Sequence, residues 1–338
     1  MRKLTLLVTL FVVAALIWGL YWVIGATALE RGLNAWLDER RAEGWVAEAG
    51  DVAVRGFPNR FDATFTGLEL ADPETQVAWS APAFQMLALS YKPNHVIMLW
   101  PGEQSFSTPD QTIAIGAETM RGSMIVALDP LAPVQSSTIE VINAGFSSTQ
   151  DWAATLASGQ LSMRLKPGAQ EPATYDLYID LSGLTPDSAF MDRLPGGDRL
   201  PETIAQAQIT ATVRYDKPWD RTAIDVARPQ PRHVLLEGLT ARWGDLDLQA
   251  TGNLDIGADG IPSGAMEIEA TNWRDMIEIA RATGALKEEY VSAVTRGLEL
   301  LASLSGDAET LDVPLSFREG RTYIGPLPVG PAPAIRLP

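Results

Sequence analysis

From Leu4 to Ile24 the chain has no charged residue, and the run closes on Trp18, Tyr21 and Trp22. As an α-helix rising ~1.5 Å per residue, this run reaches roughly 31 Å, the thickness of a bilayer's hydrocarbon core. The segment therefore decides where the rest of the chain can fold. A second reading competes with an anchor, because Ala26-Thr27-Ala28 has the small-x-small form of a signal-peptidase site. Cleavage after Ala28 would release the remainder into the periplasm. A cleaved signal, however, has an apolar core of about 7–15 residues. The present run is longer and carries aromatic rings where a membrane interface would hold them. Residues 1–26 are thus expected to remain as a single-pass transmembrane anchor. Arg2 and Lys3 favour a cytoplasmic start, against the counterweight of Arg31, Arg40 and Arg41. The expected location is the inner membrane, with the body of the chain in the periplasm.

Residues 27–45 read as an amphipathic helix continuing from the anchor. Leu29, Leu33, Trp36 and Leu37 recur at spacings of three and four, charged residues follow at Asp38 to Arg41, and Gly44 supplies a stop. Such a stripe is expected to pack on the following domain rather than to sense lipid.

From residue 46 to 338 the pattern changes to short alternating runs broken by Gly, Pro, Asp and Asn, the signature of many antiparallel strands. Tyr175, Leu177, Ile179 and Leu181 face one way and Asp176, Tyr178 and Asp180 the other; Ile209, Ala211, Val213 and Tyr215 oppose Thr210, Thr212, Arg214 and Asp216. Each such strand has one apolar and one wet face. Further strands are expected at 60–70, 84–91, 95–100, 112–115, 122–128, 137–144, 160–165, 234–241 and 311–317. A hairpin is expected from Leu246 to Ala270 around Gly257-Ala258-Asp259-Gly260. Helical crossovers are scarce, so the fold class is mainly β with a few helices: a long curved antiparallel sheet covered in part by C-terminal helices. The helices are expected near 188–205 and 273–305. The first of these regions has a short helix at Ser188–Arg193, closed by Leu194-Pro195-Gly196-Gly197, and a turn near Pro201–Ala205. The second has Trp273–Thr283 and Ala285–Ser305, with Gly284 and Gly306 as stops. The Pro-rich tail should be extended.

Chemistry is sparse. The chain has no cysteine, which removes disulfides and thiolate sites, and its formal net charge of −16 opposes an electrostatic grip on nucleic acid. His95 and His233 lie far apart and outside any metal-ligand spacing. The carboxylate pairs Asp245/Asp247 and Glu267/Glu269 each project from one strand face, where they could hold Ca²⁺ or act as acid and base. The wet side of an amphipathic strand accounts for them without either role. Asp255-x-x-x-Asp259-Gly260 lacks the ligand ladder of a Ca²⁺ loop and reads as a turn. No catalytic residue, metal or cofactor is expected, and the chain reads as non-enzymatic.

The segment Val54-Arg55-Gly56-Phe57-Pro58-Asn59-Arg60-Phe61, following an anchor and a short helix with Trp36, resembles an uncharacterised bacterial family of membrane-anchored periplasmic proteins loosely grouped with AsmA-like proteins. Ala250-Thr251-Gly252-Asn253-Leu254-Asp255, Gly260-Ile261-Pro262-Ser263-Gly264 and Asn272-Trp273 are similar to the strand, glycine turn and helix entry of AsmA-like repeats. Val313-Pro314-Leu315, Glu319-Gly320 and Gly325-Pro326-Leu327-Pro328 resemble the family's close. The resemblance implies a role in lipid handling or envelope maintenance and brings no catalytic residues. Gly56-Phe57-Pro58 also has a local account, in which Phe57 and Phe61 bury as the strand starts.

Three functions stay open: lipid binding in an apolar sheet groove, a scaffold for an envelope protein partner, and a carboxylate hydrolase. For the first, the membrane and phospholipid are the expected partners. Leu177, Ile179, Leu181, Ile209 and Val213 are its expected groove residues. It requires contiguous apolar surface left uncovered by the C-terminal helices.

Overall fold

In the computed structural model a single helix, α1 (Arg2–Ala42), carries the apolar run directly into the first β unit. The structure describes residues 2–169, 171, 173–194, 197–284, 286, 288–305 and 309–337. Helix and strands form two compact units, Met1–Val126 with Ser148–Gln150, and Ala127–Ser147 with Asp151–Pro338.

In the first unit α1 is followed by β1 (Val46–Glu48), β2 (Asp51–Arg55), β3 (Arg60–Asp72), β4 (Val77–Leu89), β5 (Lys92–Leu99), β6 (Gln104–Ser107) and β7 (Thr112–Val126). β1 and β2 both pair with β3, which pairs with β4; β5 and β6 then bridge β4 to β7, all antiparallel. Val52, Phe65 and Phe84 stand opposite one another across β2, β3 and β4, so they share a face. Leu37 of α1 packs there with Ala47, Val52, Phe65 and Leu68.

The contact seam of α1 starts earlier than the sequence suggests. Trp18 Nε1 donates to the Pro58 carbonyl at 2.9 Å, Tyr21 Oη to the Ser90 carbonyl at 2.6 Å, and Trp22 Nε1 to the Arg60 carbonyl at 2.7 Å. Gly25 lies so close to Phe61 that a Cβ there would sit 2.6 Å from the ring. Trp18, Trp22, Gly25, Leu33, Leu37 and Arg40 fall at helical spacing along one side. The helix ends where Trp45 N donates to the Arg40 carbonyl and Gly44, at φ +92°, donates to the Arg41 carbonyl, a left-handed cap that a Cβ would strain.

The second unit holds β8 (Val134–Ser148), β9 (Ala153–Leu165), β10 (Thr174–Pro186), α2 (Ser188–Arg193), β11 (Ile204–Tyr215), α3 (Thr222–Asp225), β12 (Pro231–Trp243), β13 (Leu246–Ile256) and β14 (Pro262–Thr271). Then come α4 (Trp273–Ala282), α5 (Glu288–Ser305), β15 (Thr310–Arg318), β16 (Arg321–Ile324) and β17 (Leu327–Pro331). From β8 to β17 each strand pairs antiparallel with the next. Opposed residues share a face, so the register lays Ile139, Leu161, Ile179, Ile209, Leu239, Ala250, Ile268 and Val313 in one apolar row across eight strands. A bulge in β12 between Leu236 and Leu239 keeps both of those leucines on that face although they are three apart. Over β14 and β15 the face is covered: Trp273, Val294, Leu298 and Ala302 pack on Ala270, Leu311 and Val313. Towards β9 it is open, and Leu161 is 45% exposed.

The strands extend the sequence expectations and correct some of them. The runs 112–115 and 122–128 belong to one strand, β7, which ends at Val126: residues 116–121 continue it, with Arg121 paired to Leu99 and Trp100 N donating to the Met120 carbonyl. The turn expected at Pro201–Ala205 is strand from Ile204, and a 3-10 turn at Gly197–Arg199 precedes it. α5 begins at Glu288; Pro195, Gly196, Ala285 and Gly306 lie outside the described residues. The tail contributes β17. Phe61 is buried, whereas Phe57 is 62% exposed, because Phe57 sits in the β2–β3 turn and packs edge-on against Trp22.

Candidate functional site

At one end of the second unit the apolar sheet face opens into a cavity of about 760 Å³. Its floor continues the row that joins Leu181 to Ala207, Ala241 and Leu248 across β10, β11, β12 and β13. The two alanines leave space where larger side chains stand in the neighbouring row. Leu184 and Ile204 line the same cavity although their positions are out of step with Leu181 and Ala207. The switch occurs at Gly183, whose φ of +67° is open to glycine and strained for other residues.

Two helices make the roof. Phe190 projects from α2, and Met276, Ile279 and Ala280 from α4. Asp187 fixes α2: its carboxylate accepts from Phe190 N at 2.7 Å and also from Ala153 N on β9, satisfying one helix-end donor and tying the helix to the cavity wall. These bonds hold the Asp187 carboxyl below the ordinary carboxylate range, the Phe190 amide contributing most, then Ala153, with burial opposing and Arg193 adding a favourable charge. A depressed carboxyl stabilises the fold fully above the ordinary range and loses that contribution as the pH falls through its lowered value. On acidification the protection factors of the Phe190 and Ala153 amides, referenced to the intrinsic exchange rate at each pH, are therefore expected to fall, and Asp187→Asn is expected to remove that acid-dependent step. Unchanged protection factors in the native chain across this range would refute the coupling.

α4 is fixed at its other end. Asn272 takes φ +57°, its backbone N donates to the Glu309 carbonyl, and its Nδ2 donates to the Asp245 carbonyl at 2.7 Å. Trp273, the next residue, is almost wholly buried. At the inner end Trp243 Nε1 donates to the Pro201 carbonyl at 2.6 Å, which leaves the indole's apolar surface for the cavity. Two exposed cations, Arg193 and Arg242, complete the lining at the rim. Arg242 Nε donates to Asp247 at 3.0 Å. The site is thus an apolar slot with guanidinium groups at its edge.

The five expected groove residues lie on this same apolar face, but none of them lines the cavity. Leu181 is the cross-strand partner of Ala207, Leu177, Ile179 and Ile209 occupy the rows beyond, and Val213 is buried with Tyr175, Ala211 and Tyr215. Burial raises the phenol pKa of both tyrosines. Ala207, Ala241, Phe190 and Met276 were not singled out in the sequence. Alanines at apolar strand positions are the local signal for the first two, and Phe190 and Met276 lie within the two expected helices.

The residues weighed for chemistry have ordinary strand partners. His95 Nε2 lies 3.0 Å from Ser123 Oγ, and His233 Nδ1 lies 2.9 Å from Asp255. Among the described residues no group of three His, Asp or Glu side chains could hold a metal.

A family model for uncharacterised proteins conserved in bacteria matches residues 22–333, nearly the whole chain. The chain belongs to this family, DUF2125. The match takes in the helix from Trp22 onward, where its indole meets the Arg60 carbonyl, and reaches β17. No curated protein and no solved structure matches the chain. α1 is long and apolar enough to cross a membrane, which is compatible with a single-pass anchor.

Proposed function

We propose that the protein is a non-catalytic lipid-handling component of the bacterial envelope, held in the inner membrane by α1 with its β body in the periplasm. The observation that carries this reading is the cavity under α2 and α4, apolar throughout its depth and edged by Arg193 and Arg242. Acyl chains match the slot, and an anionic headgroup matches the guanidinium rim, which offers paired donors to a phosphate. Its volume falls within the ~300–1,000 Å³ of ligand sites. The apolar face continues past the cavity to Leu161 of β9, which is 45% exposed, as a groove for long chains requires. The resemblance to AsmA-like proteins points the same way.

Protein purified in mild detergent is expected to carry phospholipid detectable by native mass spectrometry. Ala207→Arg, which fills the cavity floor with a charge, should abolish the adduct. Thr210→Arg, on the opposite face of the same strand, should retain it. Lipid-free native protein would sink the reading, and a stoichiometric envelope protein in place of lipid would favour a scaffold.

A further inference from the structure

We infer that the β2–β3 and β4–β5 turns of the first unit form a wedge that sits within the membrane interface, with Phe57 and Tyr91 in contact with lipid. The inference rests on α1 being a membrane anchor and goes beyond it, because an anchor alone could hold the body clear of the bilayer on a free length of helix.

The level of the turns along α1 decides between these arrangements. The carbonyls of Pro58, Arg60 and Ser90 accept from Trp18, Trp22 and Tyr21, so both turns are clamped beside residues 18–22. The Phe57 ring would be 3.9 Å from a Cβ on Gly19, and Ser90 N donates to the Asn59 carbonyl, joining one turn to the other. Above this clamp the free apolar helix is only Leu4–Ile17, ~21 Å long at 1.5 Å per residue. A hydrocarbon core of about 30 Å needs more.

The outer side of the helix supplies the missing length. Leu20, Val23 and Ile24 are exposed there, at the same level as the clamp, and the first charge, Glu30, comes later. If the bilayer reaches Ile24 to cover these side chains, the turns lie about 3–9 Å inside that boundary. Their outward side chains suit the position. Phe57 is 62% and Tyr91 66% exposed, and both are amphipathic or apolar rings of the kind enriched at membrane interfaces. Arg55 and Lys92 flank the turns in a chain that is otherwise strongly acidic, and cations at this depth can reach lipid phosphates; Arg60 beside them is paired with Asp62. The occupant of this surface is therefore the bilayer interface itself.

The absence of native cysteines permits single labels. The full chain, carrying an environment-sensitive fluorophore at Leu10→Cys, Phe57→Cys, Tyr91→Cys or Glu74→Cys, is reconstituted in phosphatidylcholine–phosphatidylglycerol vesicles with or without brominated acyl chains. Glu74 lies in the β3–β4 turn at the far end of the strands. Bromination is expected to cause loss of fluorescence at Leu10, Phe57 and Tyr91 and none at Glu74. Quenching at Leu10 without quenching at Phe57 and Tyr91 overturns the wedge while leaving the anchor. No quenching at Leu10 removes the anchor and the wedge together. Phe57 and Tyr91 are exposed, so labelling them does not disturb a core.

Discussion

Trp273→Ala is expected to lower the stability of the second unit by about 3–5 kcal/mol, the range for removing a large buried aromatic. Trp273 is 2% exposed and packs in one cluster with Ala270, Val294, Leu298, Ala302, Leu311 and Val313, so its loss leaves a void bounded by β14, β15 and α5. Two of those walls, β14 and β15, are tied to each other by the ladder and cannot close on the space. Arg274 lies over the indole at 4.4 Å, but its side chain is half exposed, and Arg274→Ala should cost only ~0.5–1 kcal/mol. The tryptophan is also the first residue of α4, which roofs the cavity with Met276, Ile279 and Ala280. The variant should therefore show a lower urea midpoint together with weakened lipid retention. Trp273→Phe, which keeps most of the volume, should recover most of both. Equal midpoints for Trp273→Ala and the native chain would show that the cluster does not hold α4.

Much of this fold was legible because alternation in a half-buried strand is a direct consequence of the pleat. Tyr175 to Leu181 and Ile209 to Tyr215 read as strands, and the ladder between them places Ile179 opposite Ile209, as two apolar faces meeting on one side require. The hairpin at Gly257–Gly260 was legible for the same reason, with turn residues between two alternating runs. Residues 116–121 were not legible as strand, although they join two such runs into β7, in which Gly122 lies beneath Met98 and Trp100. The cavity was not legible. It needs Ala207 beside Ala241 through a particular register, a face switch at Gly183, and two helices from distant parts of the chain brought over one sheet. No local pattern encodes any of these three conditions. The docking of α1 was half visible: the stripe from Leu33 to Leu37 announced a packed face, while Trp18, Tyr21 and Trp22 resembled free interfacial anchors. Their indole and phenol donors are in fact engaged by backbone carbonyls of the β unit.

The two ends of α1 should consequently respond to mutation in opposite ways. Leu37→Ala is expected to destabilise the first unit by about 2–5 kcal/mol, whereas Leu10→Ala should leave its unfolding unchanged. Leu37 is 1% exposed among Ala47, Val52, Phe65 and Leu68; Leu10 is 65% exposed and touches no part of the β unit's core. The void left at Leu37 has little freedom to collapse, because the helix end is pinned immediately beyond it. Arg40 is buried between the rings of Trp36 and Trp45, 5.9 Å from each, and its two terminal nitrogens reach Glu43 at 2.9 and 3.1 Å. That fork, the stacked rings and the left-handed Gly44 cap fix the last turn of the helix against β1. Loosening Leu37 thus weakens the link between the membrane segment and the body without touching either the apolar run or the cavity. Urea unfolding in detergent micelles, followed by the fluorescence of the full chain, reads the difference as separate midpoints for the two variants. Coincident midpoints would mean that α1 is only a tether and that the β unit carries its stability alone.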